Sequence, residues 1–209
     1  MPQTVLITLA FNLLPVGFAV LFGWSLLSLM LLYWAENVIV GLINVLKMIV
    51  AASNKGPTRI TGLFLSVPFF IVHYGLFCAV HGVLILVLFN GEPTQTVNDP
   101  WDIPAVFWQQ IHINAFFALN LLLLATFHLY RFVMEWLWTG VWRTTDPYVQ
   151  MFMPYGRIIV VHIAVLVGGF LATFIGSPTI AVVILALLKT VLEVSAAQIN
   201  LPQTALSKR

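Results

Sequence analysis

Charge is what this chain has least of. Only 8% of its 209 residues are Asp, Glu, Lys or Arg, while 61% are apolar; a soluble domain carries about 25% charged residues. So few ionic groups cannot cover a soluble core of this size, and most of the chain is expected to meet lipid. Nine basic and seven acidic residues leave a net charge of +2, and no basic run is longer than Lys208 and Arg209. That excludes the basic patches of a nucleic-acid partner. Cysteine is nearly absent too. Cys78 alone permits neither an intramolecular disulfide nor the paired thiolates of a zinc ribbon, and beside Ala79 in an apolar stretch it reads as a packing residue. The N-terminus lacks a basic leader and a small-residue cleavage site, so Val5 to Phe22 reads as a retained first span. With no repeat, low-complexity tract or soluble segment, residues 1–209 form one transmembrane domain.

What is present is a series of long apolar runs. A hydrocarbon core about 30 Å thick needs roughly 20 apolar residues in a helix. Six stretches qualify, about 4–22, 25–50, 64–89, 112–136, 156–175 and 178–197. Breakers lie between them: Gly23, then Asn54 to Pro57, then Pro93, Pro100 and Pro104, then Asp146, Pro147 and Pro154, and finally Gly176 to Pro178. The expected fold is all-α, a bundle of about six transmembrane helices.

The basic residues orient it. With the N-terminus in the cytoplasm, Lys47, Lys55, Arg59, Arg131, Arg143, Arg157, Lys208 and Arg209 all fall on the cytoplasmic side. The outer loops hold no Lys or Arg, and the long one holds Glu92, Asp99 and Asp102. This is the positive-inside pattern, and it puts both termini in the cytoplasm. Trp101 and Trp108 mark one interface and Trp136, Trp138 and Trp142 the other. The stretch from Trp101 to Ile111 reads as a short surface helix or an ordered loop.

Ionisable groups inside spans cost at least about 2.5 kcal/mol each near the centre, so each needs a partner or a function. Counting along the helices places Glu36, His73, His162, Lys189 and Glu193 at similar depth on four spans, with Asn37 beside Glu36 and His81 nearer the outside. Their convergence predicts one intramembrane site. Glu36, His73, His162 and Glu193 suit zinc, and Glu36 or Glu193 would be the catalytic base of a hydrolase. Lys189 is central in the last span, as in retinal proteins, yet six spans are one short of that fold; neutralising Glu36 or Glu193 is the better reading. His73 and His81, eight residues apart, point to different neighbours. His112 and His128 read as interfacial anchors. Gly75, Ala79 and Gly82 form a small-residue stripe for close helix approach.

Four blocks carry a resemblance: Tyr33 to Asn37 with Gly41 and Lys47; His73 to Phe77 with His81 and Gly82; Pro154 to Arg157 with His162 and Gly168; and Leu188 and Lys189 with Glu193. Together they resemble an uncharacterised bacterial family of small polytopic membrane proteins, over about Tyr33 to Glu193. The resemblance implies a bacterial inner-membrane location and names no activity. Members often have Asp and a nearby His after the last lysine; Glu193 and Gln198 stand there instead, which leaves the ligand set on the sixth span incomplete. Three readings follow, in order: a membrane metal site, structural or hydrolytic; a small-solute or proton-coupled transporter, against which no inverted repeat is visible and for which a homo-oligomer would supply size; and a structural subunit.

Overall fold

A computed structural model describes residues 25–89, 99 and 101–159, with the isolated positions 17, 21, 162, 163, 166, 167, 174, 184, 187, 190 and 191. These residues are helical or in turns, with no strand among them. Helix α1 spans Leu26–Ala52, α2 Pro57–Phe89, α3 Ile103–Ile113, α4 Ala115–Tyr130 and α5 Pro147–Phe152. A π-helical segment, Arg131–Leu137, and a 3-10 turn, Val141–Arg143, lie between α4 and α5. Three helices are long and apolar enough to cross a membrane: Leu27–Ala52, Pro57–Phe89 and Ala115–Leu137, the last being α4 continued through the π segment. Apart from the isolated positions and the first residues of the fifth, the expected first, fifth and sixth spans lie outside the described residues. So do Lys189 and Glu193.

Local chemistry sets the helix ends. Ser25 caps α1, its Oγ accepting from the Ser28 N–H at 3.0 Å. After Ala52 the chain turns through Gly56, whose φ of 89° a side chain would resist, and Pro57 opens α2, where a missing N–H does no harm. Helix α2 therefore starts seven residues before the expected 64, and its 33 residues rise about 50 Å, beyond the hydrocarbon thickness. The expected fourth span breaks at Asn114 (φ −126°, ψ 94°), whose Oδ1 accepts from the Phe117 N–H at 3.0 Å. An asparagine that satisfies the backbone this way starts a new helix rather than continuing an old one, so α3 stands as a separate short helix where either a helix or a loop was expected.

Helix α1 is the hub, touching α2, α4 and α5. Leu27, Leu29, Met30, Leu31 and Leu32 meet Ile85, Leu86, Ile103, Val106, Phe117 and Leu124 in one core cluster; Met48, Phe70, Tyr74, Cys78, Met151 and Ile158 form another. Elsewhere α2 turns Phe64 (83% exposed), Leu65, Phe69, Val72 and Leu76 outward. An apolar face of that extent requires lipid or another protein rather than water.

Two directional bonds seat α2 on α1. The Trp34 indole donates to the Cys78 carbonyl at 2.7 Å, and the Tyr74 hydroxyl to the Asn37 carbonyl at 3.2 Å. Gly41 allows the approach, since a Cβ there would fall 2.6 Å from Tyr74 Cε1. Of the expected stripe, Gly82 is packed, with a Cβ position 3.1 Å from Trp34 Nε1, whereas Gly75 is exposed and faces open space. The small-residue contact is thus shared between helices, Gly41 from α1 and Gly82 from α2.

Candidate functional site

The middle of α1 carries Glu36, which is 5% exposed. Its Oε1 lies 2.5 Å from Arg157 Nη2 and 3.0 Å from His128 Nε2. A carboxylate only accepts, so His128 presents Nε2–H to it. His128 comes from the last turn of α4, and Arg157 from the helical stretch 155–159 that follows Pro154. A buried carboxylate is tolerable when paired and hydrogen-bonded, and two cation-forming groups on one oxygen meet that need.

The other expected residues have other neighbours. His73 is exposed, its Nδ1 2.7 Å from the Tyr155 hydroxyl and its ring stacked on Phe69. His81 is buried, and its Nδ1 lies 2.6 Å from the Phe77 carbonyl. A carbonyl cannot donate, so that nitrogen carries the proton; Nε2 of the neutral ring then accepts from His162 Nδ1–H at 2.7 Å. Asn37 is buried with Oδ1 unpartnered. Glu36, His73 and His162 are therefore divided: one is beside Arg157 and His128, one beside Tyr155 and one beside His81. Among the described residues no three His, Cys, Asp or Glu side chains are grouped to hold a metal ion. The expectation that His73 and His81 serve different neighbours agrees with this arrangement.

Sequence reasoning missed His128 and Arg157 as site residues, assigning one to the interface and using the other only to orient the bundle. The available signal was Glu36 itself, which demanded a counter-charge; Arg157 stood in one of the quoted blocks.

Beside this cluster, between α1, the π segment and the chain from Val141 to Arg157, lies a cavity of about 380 Å³. His128 and Arg157 line it, with Asn44, Lys47, Arg131, Glu135, Trp136 and Gln150. Arg131 Nε holds Glu135 Oε2 at 2.7 Å, and Lys47 Nζ stands 5.8 Å over the Trp136 ring. Gln150 Nε2 donates to Asn44 Oδ1 at 2.7 Å. The π register, marked by the Trp138 N–H donating to the Val133 carbonyl at 2.8 Å, supplies three of these lining residues. Such segments are frequent at functional sites.

Among the described residues these features define a helical bundle with three membrane-length apolar helices, a buried ion cluster and an adjoining polar cavity. The chain belongs to a family of unknown function, DUF6498, whose model matches residues 2–208. No curated protein and no solved structure matches it.

Proposed function

We propose that the protein is a multi-pass carrier of a small solute, in which filling the cavity is linked to proton binding at Glu36 and His128. The observation behind this reading is that His128 and Arg157, which both contact Glu36 Oε1, also line the cavity. A solute that draws Arg157 towards itself strips Glu36 of a counter-charge, and a proton taken up by Glu36 or His128 replaces it. By linkage, the proton then favours solute binding in return. Cavities between helices are the usual place for such sites. In the accompanying topology residues 4–22, 156–175 and 178–197 complete six spans of a bacterial inner-membrane protein, with both termini cytoplasmic. The cavity residues Lys47 and Arg131 then lie at the cytoplasmic end.

The zinc hydrolase reading, built on Glu36, His73, His162 and Glu193, ranks behind this one. A metal at Glu36 Oε1 would have to compete with Arg157 and His128 for the same lone pairs. The test is uptake of a panel of labelled small solutes into proteoliposomes under an acid-outside gradient. Gradient-driven accumulation lost in Glu36→Gln is expected. Accumulation indifferent to both the gradient and Glu36 would refute the reading, and stoichiometric zinc retained by wild type but not by Glu36→Gln would favour the metal site.

A further inference from the structure

We infer that the cavity takes a singly charged organic oxyanion, a carboxylate or phosphodiester group, bound at Lys47. This rests on the cavity being the solute site. The argument is one of charge and donor balance. Arg157 faces Glu36, and Arg131 faces Glu135. Lys47 has no carboxylate within ion-pair distance among the described residues, and its Nζ stands over the Trp136 ring. Among the described residues the two acids cancel two of the three cations, Arg131, Arg157 and Lys47, and one positive charge is left over.

Asn44 stands beside Lys47. It is 3% exposed and lines the cavity; its Oδ1 is occupied by Gln150, while Nδ2 has no partner. Asn44 and Lys47 are three residues apart on α1 and share a face. Nδ2 is closed off from the cavity space, so the donor that this wall offers is the Lys47 ammonium. A fitting ligand brings acceptor oxygens and one negative charge. Glu135 disfavours a second negative charge by repulsion, and the Trp136 ring suits an organic body. A volume of about 380 Å³ is at the small end for ligand pockets, enough for a small acid or a lipid headgroup.

The full chain in phosphatidylcholine nanodiscs is titrated with benzoate, succinate and choline, reading tryptophan fluorescence and heat. Benzoate is expected to bind best. Lys47→Met should weaken it about 10- to 100-fold, the worth of one charge-assisted hydrogen bond, and Lys47→Arg should restore most of it. Asn44→Asp, which keeps an oxygen for Gln150 and sets a carboxylate one helical turn from Lys47, should weaken binding as well. Loss of benzoate binding in discs containing phosphatidylglycerol would assign the site to a lipid phosphodiester; unchanged binding there would assign it to a free anion. Wild type that binds neither benzoate nor phosphatidylglycerol, or Lys47→Met that binds as wild type does, overturns the inference. Nitrogen-15 NMR of His128 separates it from the carrier reading. Benzoate bound through Lys47 with no Glu36-dependent proton uptake would leave the anion site standing and defeat the carrier. Glu36-dependent uptake without anion binding would do the reverse.

Discussion

Replacing Arg157 by methionine removes the guanidinium 2.5 Å from Glu36 Oε1 and keeps much of the side-chain volume. Glu36 is 5% exposed, so its carboxylate cannot recover the interaction from water. Unit charges about 4 Å apart attract by roughly 4 kcal/mol at an effective dielectric of about 20, and breaking a buried pair by deleting one partner costs about 3–5 kcal/mol. His128, 3.0 Å from the same oxygen, offsets part of the loss because its hydrogen bond to the carboxylate remains. The expected destabilisation is about 2–4 kcal/mol at neutral pH, read from reversible unfolding in mixed micelles. Adding Glu36→Gln to Arg157→Met should recover at least about 2 kcal/mol, because the abandoned charge is gone. If the two substitutions simply add, within about 0.5 kcal/mol, Arg157 and Glu36 are not energetically paired and the cluster is misread.

Gly41→Ala should lower stability by about 1–3 kcal/mol through overpacking against Tyr74, whereas Gly75→Ala, facing open space, should melt with or slightly above wild type; equal melting of the two variants would place Tyr74 elsewhere. His162→Phe leaves buried His81 Nε2 without its donor and should cost about 1–3 kcal/mol in the same unfolding assay, with His162→Gln recovering part; no loss would show that the imidazole pair does not form. In a background lacking Cys78, single cysteines near Asp99 should label from the periplasm and those near Lys55 and Asp146 only from the cytoplasm. Reversal at two of these three loops would invalidate the six-span topology.

Apolar run length made the long helices legible. The expected 25–50 differs from Leu26–Ala52 by a residue or two at each end, because Ser25 and the Asn54 to Pro57 turn announce themselves. The early start of α2 was hidden by Thr58, Arg59 and Thr61, polar residues that belong to the helix but not to the apolar run. The Asn114 break was hidden because its cap depends on a side-chain hydrogen bond inside an otherwise apolar run. Glu36 was singled out correctly as a buried acid, since a carboxylate within an apolar run needs a partner or a function. Its partners were not found because depth was counted at a fixed rise along upright helices. That count ignores rotation about each axis, tilt, and the reach of a long side chain. It separated His81 from His162, which lie 2.7 Å apart, and grouped His73 with Glu36, whose partners differ.

The docking of α2 on α1 has a consequence for how the two helices tolerate sequence change. Trp34 donates to the carbonyl of Cys78, and Tyr74 to the carbonyl of Asn37. Every residue type has that carbonyl, so the accepting positions can drift while the donors cannot. Substitutions at Cys78 that respect its volume should leave the helix register untouched, and a gene pool would be expected to sample them. Asn37 is equally dispensable for register, yet it keeps a buried amide oxygen without a partner, and an apolar residue of similar size would remove that penalty. Helix docking therefore does not account for an asparagine at that position, one residue along α1 from the Glu36 ion cluster.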